Sequence, residues 1–248
     1  MIDTKALRQK ILDLAIRGKL VPQDPDDEPA SVLLERIRQQ KQQMVKEGKL
    51  KPKDLKNDSV IFVGEDNLHY EKFADGSVKC IEDEIPFDIP GSWAWTRIKT
   101  VSVDLPYGTS KKSNSSGKVA VLRMGNLQDG EIDYSDLVYS SDEADIEKYY
   151  LLENDLLFNR TNSAEWVGKT SIYRGDTPAI YAGYLIRIRT PLCGEYLNAV
   201  MNSAYAKNYC IRVKTDAVNQ SNINAQKLGM FLVPVAPIKE QHRIVTSF

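Results

Sequence analysis

The 248-residue sequence is poor in the residues that carry most chemistry. It holds two histidines, His69 and His242, and three cysteines, Cys80, Cys193 and Cys210. An odd, scattered set of thiols argues against a disulfide framework, and no Cys/His spacing suits a metal. No apolar run approaches the roughly 20 residues of a membrane span, and Asp3, Lys5 and Arg8 stand where a signal peptide needs an apolar core. No membrane partner is expected, and the cytoplasm is the default compartment. Catalytic signatures are missing too. There is no G-x-x-x-x-G-K-[ST] loop, no H-E-x-x-H, no Cys-x-x-Cys, no N-P-P-Y or D-P-P-Y and no glycine-rich cofactor loop. Glu47-Gly48-Lys49 matches the E-x-K of metal-dependent nucleases only formally, at the end of a polar helix with no strand beside it. Ser-His or Cys-His catalysis has only a histidine in a connector and another at a helix start. No catalytic, cofactor or metal residue is assigned, and a binding module is expected.

The net charge of −1 gives little support for a nucleic-acid partner, but its distribution is uneven. From Lys53 to Asp88 four lysines face ten carboxylates. From Tyr107 to Gln128 stand Lys111, Lys112, Lys118 and Arg123 with no acid among them. Any anionic partner is expected on the second stretch.

Along the chain, Asp3 or Thr4 can cap a first helix carrying Leu7, Ile11 and Leu14, which Gly18 ends. Val21 to Pro29, with three prolines and four acids, reads as a rigid connector. A second helix from about Ala30 to Glu47 has a narrow apolar stripe, Leu33, Leu34, Ile37, Met44 and Val45, suited to a two-helix arm packed on another helix. Lys51 to Asp88 is an acidic surface connector with short strands at Val60 to Val63 and Val78 to Ile81. Trp93 and Trp95 open a globular domain as core aromatics. Val119 to Met124 and Ile180 to Ile188 read as strands, and Tyr196 to Tyr209 as a helix. Leu228 to Val235 is a buried strand, and Pro237 starts a helix within which the chain stops.

Polar groups gather where predicted strands end. Tyr107-Gly108-Thr109-Ser110-Lys111-Lys112 is a small basic loop. Gly108 permits close backbone approach, Thr109 and Ser110 supply hydroxyls, and the lysines supply charge for phosphates. An ordinary solvated loop reads the same way. Arg123 and Asn126 flank the next strand end and have side chains that match guanine and adenine edges. Arg160, Thr161 and Asn162 leave another strand, Lys169 follows Val167-Gly168, and Asn219, Gln220, Ser221 and Asn222 form a run of amides and a hydroxyl. Loops on a rigid sheet that deliver such groups can read a surface of bases.

The ordered set of motifs resembles one family. Asn222-Ile223-Asn224, Pro234-Val235-Ala236-Pro237 and Glu240-Gln241-His242-Arg243-Ile244-Val245 resemble the exit of a target recognition domain in the DNA-specificity subunits of type I restriction-modification systems. Ile85-Pro86 through Trp93-Ala94-Trp95 resembles the domain's opening I-P-x-x-W-x-W. Tyr107 to Lys112 resembles its Y-G-x-T-x-K loop, with Thr109 directly after Gly108 and Ser110 where the pattern often has Thr. Arg123 to Leu127 resembles R-x-x-N-(I/L). Leu151 to Arg160 resembles L-x-x-G-D-(I/L)-L-x-x-R, with Asn154 in place of glycine, and Val167-Gly168-Lys169 matches V-G-K. Asp3 to Gln43 looks like the helical spacer that holds recognition domains apart and docks methyltransferase subunits.

The resemblance implies an α+β fold: a recognition domain with a curved, mainly antiparallel sheet, plus an N-terminal helical hairpin arm. The expected spans are 1–50 for the arm, 51–88 for the acidic connector, 89–237 for the recognition domain and 238–248 for the start of a second spacer. It further implies a non-catalytic subunit that binds one half of a bipartite site in double-stranded DNA. Its partners would be methyltransferase subunits, which hold S-adenosylmethionine, and through them restriction subunits. A full subunit of this family carries two recognition domains and two spacers, so the chain reads as about half of one, and a homodimer through the arm is an expectation. The residues alone leave two other readings open, a general nucleic-acid-binding module and a helical assembly adaptor.

Overall fold

The computed structural model describes residues 3–56, 58–162, 166–217 and 220–248. These fall into two compact units, each discontinuous in sequence: Met1–Val103 with Pro191–Tyr196 and Leu228–Phe248, and Asp104–Thr190 with Leu197–Lys227. The fold is α+β. Among the described residues no helix is long and apolar enough to cross a membrane.

The first unit begins with the helix Thr4–Ile16, capped by the Asp3 carboxylate, which accepts from the Lys5 and Ala6 amides at 3.0 Å. Gly18, at φ +65°, ends it, and a Cβ there would stand 2.4 Å from Cγ of Pro90. The second helix, Ala30–Lys46, buries Leu33, Ile37 and also Lys41. The Lys41 ammonium donates to Asp58 at 2.9 Å and to the carbonyls of Lys99 and Thr100 at 3.0 and 3.2 Å. Those carbonyls belong to the short helix Ile98–Val101, so the charge meets both a carboxylate and the negative end of a helix. The second helix is thereby anchored through a lysine that its narrow apolar stripe does not reveal.

The acidic stretch forms a three-stranded antiparallel meander, Ser59–Val63, His69–Phe73 and Val78–Cys80. The middle strand escapes a hydropathy reading because its inward position, Glu71, is a carboxylate. Glu71 meets Arg97, at the end of the strand Ala94–Arg97, which pairs antiparallel with Leu232–Val235. Trp93 and Trp95 are buried, and the Trp93 indole donates to Glu240 at 3.0 Å in the helix Ile238–Val245. The apolar run Leu228 to Val235 is therefore not one strand: its first residues close the helix Ala225–Gly229.

In the second unit, Val119–Leu122 lies between Val138–Ser140 and Ala179–Tyr181, and Leu156–Asn159 lies between Thr170–Ile172 and Leu185–Ile188. The described strands form several sheets of two or three strands where one curved sheet was expected, and their pairings are antiparallel except between Val119–Leu122 and Ala179–Tyr181. Leu122, Leu127, Leu151, Leu157, Tyr181 and Leu185 form the core between them. Asn154 takes the left-handed conformation, φ 71°, that the family's glycine would supply. Two elements read as continuous are interrupted. Ala179–Tyr181 and Leu185–Ile188 are separate strands because Gly183 turns to donate to the Thr109 carbonyl at 2.7 Å. The helix expected from Tyr196 to Tyr209 breaks at Ser203, whose hydroxyl accepts from the Ala206 amide at 3.3 Å and caps a new helix, Ala204–Val213.

Candidate nucleic-acid interface

The sequence-selected residues described here lie in the second unit, in three groups. The first is the loop from Tyr107. The Thr109 amide donates to the Tyr181 carbonyl at 2.9 Å, stitching the loop to the strand end. A Cβ on Gly108 would stand 2.1 Å from that carbonyl oxygen, so the close approach this glycine permits is to its own sheet. Thr109 is 5% exposed; its hydroxyl donates to Asp145 and accepts from the Lys111 amide at 3.0 Å. The hydroxyl read from sequence as a phosphate donor is thus committed inside the fold, whereas Ser110 faces solvent. Lys111 pairs with Asp142 at 2.8 Å and Asp145 at 3.3 Å, and the bond from Lys111 holds the Asp142 carboxyl below its usual range. Lys112 is exposed and forms no ion pair among the described residues.

The second group surrounds Arg123. Asn126 is 3% exposed and spends its amide on its own loop. Its oxygen accepts from the Arg123 amide at 2.8 Å, and its nitrogen donates to the carbonyls of Asp133 and Asp136 at 2.9 Å. Asn126 therefore shapes the loop and presents no edge to a base. Arg123 donates to the Asp136 carboxylate at 2.7 Å, and Asp136 is 84% exposed. Lys169 donates to Oε1 of Gln128 at 3.2 Å and stands 3.7 Å from the centroid of the exposed Trp166 ring. Trp166 and Gln128 went unselected in the sequence; an aromatic directly before Val167-Gly168-Lys169 was the available signal.

The third group is assembled by pairing. Thr161–Asn162 runs antiparallel to Gln220–Asn222, Thr161 facing Asn222 and Asn162 facing Ser221. Residues some 60 positions apart thereby share one ribbon. Ser221 is 2% exposed, and its hydroxyl donates to Asp216. Asn219 lies outside the described residues. Arg160, just before the ribbon, is fixed on both sides of its backbone: its amide donates to the Tyr184 carbonyl at 3.1 Å and its carbonyl accepts from the Ile223 amide at 2.8 Å. Its guanidinium stands 4.8 Å from the Tyr107 ring centroid, and Nε donates to the Gly183 carbonyl at 3.3 Å. Tyr107 in turn accepts from the Ala225 amide at 3.0 Å. The first and third groups meet here.

The stretch from Tyr107 to Gln128, free of acids in sequence, is not so in space. Asp136, Asp142, Glu143 and Asp145 return to pair with Arg123, Lys111 and Lys118. Among the described residues no carboxylate pairs with Arg160, and no group of His, Cys, Asp or Glu can hold a metal ion.

No family model matches the sequence. It is 32% identical over 98% of its length to the EcoAI specificity subunit of a type I restriction enzyme from Escherichia coli, covering 38% of that protein. It is 28% identical over 98% of its length to the EcoEI specificity subunit of E. coli, covering 39% of it. A solved structure described as addressing complex assembly and conformational transition of the type I R-M system aligns with a TM-score of 0.51 and 18% identity, over 65% of this chain and 38% of that one, and speaks for the fold alone. The chain spans about two fifths of the length of these curated relatives. Across almost all of its own length, the chain is similar to part of the type I restriction enzyme specificity subunits.

Proposed function

We propose that this chain is a non-catalytic, sequence-specific DNA-recognition component of a type I restriction-modification enzyme. It reads one half of a bipartite target in double-stranded DNA and docks the methyltransferase subunits, and through them the restriction subunits. The observation that carries this reading is the match to named specificity subunits over 98% of the chain, the two N-terminal helices included. The second unit supports it with the Arg160 guanidinium, held over the Tyr107 ring next to the paired backbone of Thr161–Asn162 and Gln220–Asn222. S-adenosylmethionine would reside on the methyltransferase partner, and the assembly would act in the cytoplasm. Two copies pairing through their helices would read a palindromic split target.

The test is capture of the methyltransferase subunit by this chain, followed by selection of bound DNA from a random pool at physiological salt. A short defined half-site supports the reading. Uniform binding of all sequences with no methyltransferase retained would leave only a general nucleic-acid module. A concentration series in analytical ultracentrifugation checks self-pairing: monomer alone at high concentration removes it.

A further inference from the structure

The basic side chains of the second unit are unequal in what they have left to give. Lys111, Lys118, Arg123, Arg174, Arg187, Arg189 and Lys214 each pair with a carboxylate. Arg160 does not, among the described residues, and its position is nevertheless constrained. Its backbone is bonded on both sides, Nε is bonded to the Gly183 carbonyl, and its plane rests near an aromatic face. That leaves the two terminal nitrogens, the paired donors of the guanidinium fork. Tyr107 is itself anchored, by its hydroxyl to Ala225 and by a backbone bridge to Ile186, while the residue stays 41% exposed. An aromatic face fixed at its far end restricts the rotamers of the arginine above it and lowers the ordering cost of using the fork.

We infer that Arg160 is the residue by which the second unit takes a paired-acceptor edge of DNA, and that Tyr107 is its positioning residue. This rests on the proposed function. The shared chemistry is two acceptors side by side, supplied either by phosphate oxygens or by O6 and N7 of guanine. The two sources separate by experiment. A guanine contact needs the fork geometry and carries sequence information; a phosphate contact needs mainly charge and carries none.

The experiment measures binding of the full chain to its selected DNA at several salt concentrations for the wild type, Arg160→Ala, Arg160→Lys, Tyr107→Leu and Tyr107→Phe, each checked for an unchanged thermal unfolding transition. Arg160→Ala should weaken binding by roughly 5- to 150-fold. If the acceptors are guanine's, Arg160→Lys shares that loss and relaxes the preference at one base. If they are phosphate's, Arg160→Lys is close to wild type, and Arg160→Ala lowers the salt slope by about 1 without altering preference. Tyr107→Leu should lose at least about 3-fold, in line with a cation–π contact, while Tyr107→Phe, which keeps the ring but not the bond to Ala225, should fall between the wild type and Tyr107→Leu. Unchanged affinity, preference and slope in Arg160→Ala overturns the contact, and an intact Tyr107→Leu overturns the positioning role. A wild-type chain that binds DNA without preference removes the proposed sequence reading, yet a loss in Arg160→Ala would still support the contact. A wild-type chain that binds no DNA overturns both.

Discussion

The Arg97 guanidinium grips the Glu71 carboxylate from two nitrogens, Nη2 at 2.6 Å and Nε at 3.2 Å, with both side chains almost wholly buried. The pair fastens the acidic meander to the strand Ala94–Arg97. Arg97 also donates to Glu84 at 2.7 Å and to the Met230 carbonyl at 2.8 Å, so its charge is fully committed. Removing one partner strands the other charge in the interior. Arg97→Met or Glu71→Leu alone should each cost about 3 to 5 kcal/mol, and the double replacement much less than their sum. Chemical denaturation of the four chains checks the cycle.

Stability should depend on pH in two opposite ways. Burial opposes ionisation of Glu71 and Glu84, but the bonds and charges of Arg97, with Ser59 for one and Lys79 for the other, outweigh it and hold both carboxyls low. A folded pKa below the unfolded value gives stability that is fully present above the unfolded value and is lost as pH falls through the folded one. Glu240 differs: burial raises it, and the donors Trp93 and Gln23 offset only part of that. Its contribution is fully present below the unfolded value and is lost as pH rises through the folded one. The cost of Glu240→Gln should therefore be greater at pH 5 than at pH 7, while the cost of Glu71→Gln shrinks as the pH is lowered toward 3. Urea midpoints across that range measure both.

Gly108 has no room for a methyl group, because the obstructing atom, the Tyr181 carbonyl oxygen, is backbone and is already bonded to Thr109. Gly108→Ala should destabilise the chain by about 1 to 3 kcal/mol by forcing the loop off its strand. Thermal unfolding reads the loss, and the displaced loop should also weaken DNA binding through Tyr107.

Asp136 is exposed and neutralises Arg123. Asp136→Ala should change stability by no more than about 0.5 kcal/mol, since exposed pairs contribute little. It should raise DNA affinity at low salt by a few fold if Arg123 faces the duplex. Titrations at low and physiological salt, with Arg123→Ala as the counterpart, give the comparison.

Much of the local structure was legible in the residues. Asp3 caps, Gly18 stops a helix, Asn154 replaces a glycine and Pro237 precedes a helix, each because a short-range backbone rule acts on neighbours in sequence. The site was legible only as a set of loops. Which hydroxyl of Thr109 and Ser110 faces inward, and which amide is consumed by its own turn, depend on partners such as Asp145 and Asp136 that no local pattern names. Ser203, by contrast, offered a capping signal inside an apolar helical stripe, and the stripe masked it.

What the sequence by itself determined is the kind of element at most positions and the lack of recognisable catalytic motifs, because these follow from periodicity and composition, together with a resemblance to one family that its ordered motifs carry. Tertiary structure alone decided that Glu71 and Arg97 belong together, that Lys41 is buried, and that Arg160 rests on Tyr107 beside a ribbon made from Asn162 and Ser221. Each of these couples residues from about 25 to about 60 positions apart, through ladders and charge pairs that form only when distant backbone is brought together, and those pairings decide which polar groups are spent inside the fold and which remain for a ligand.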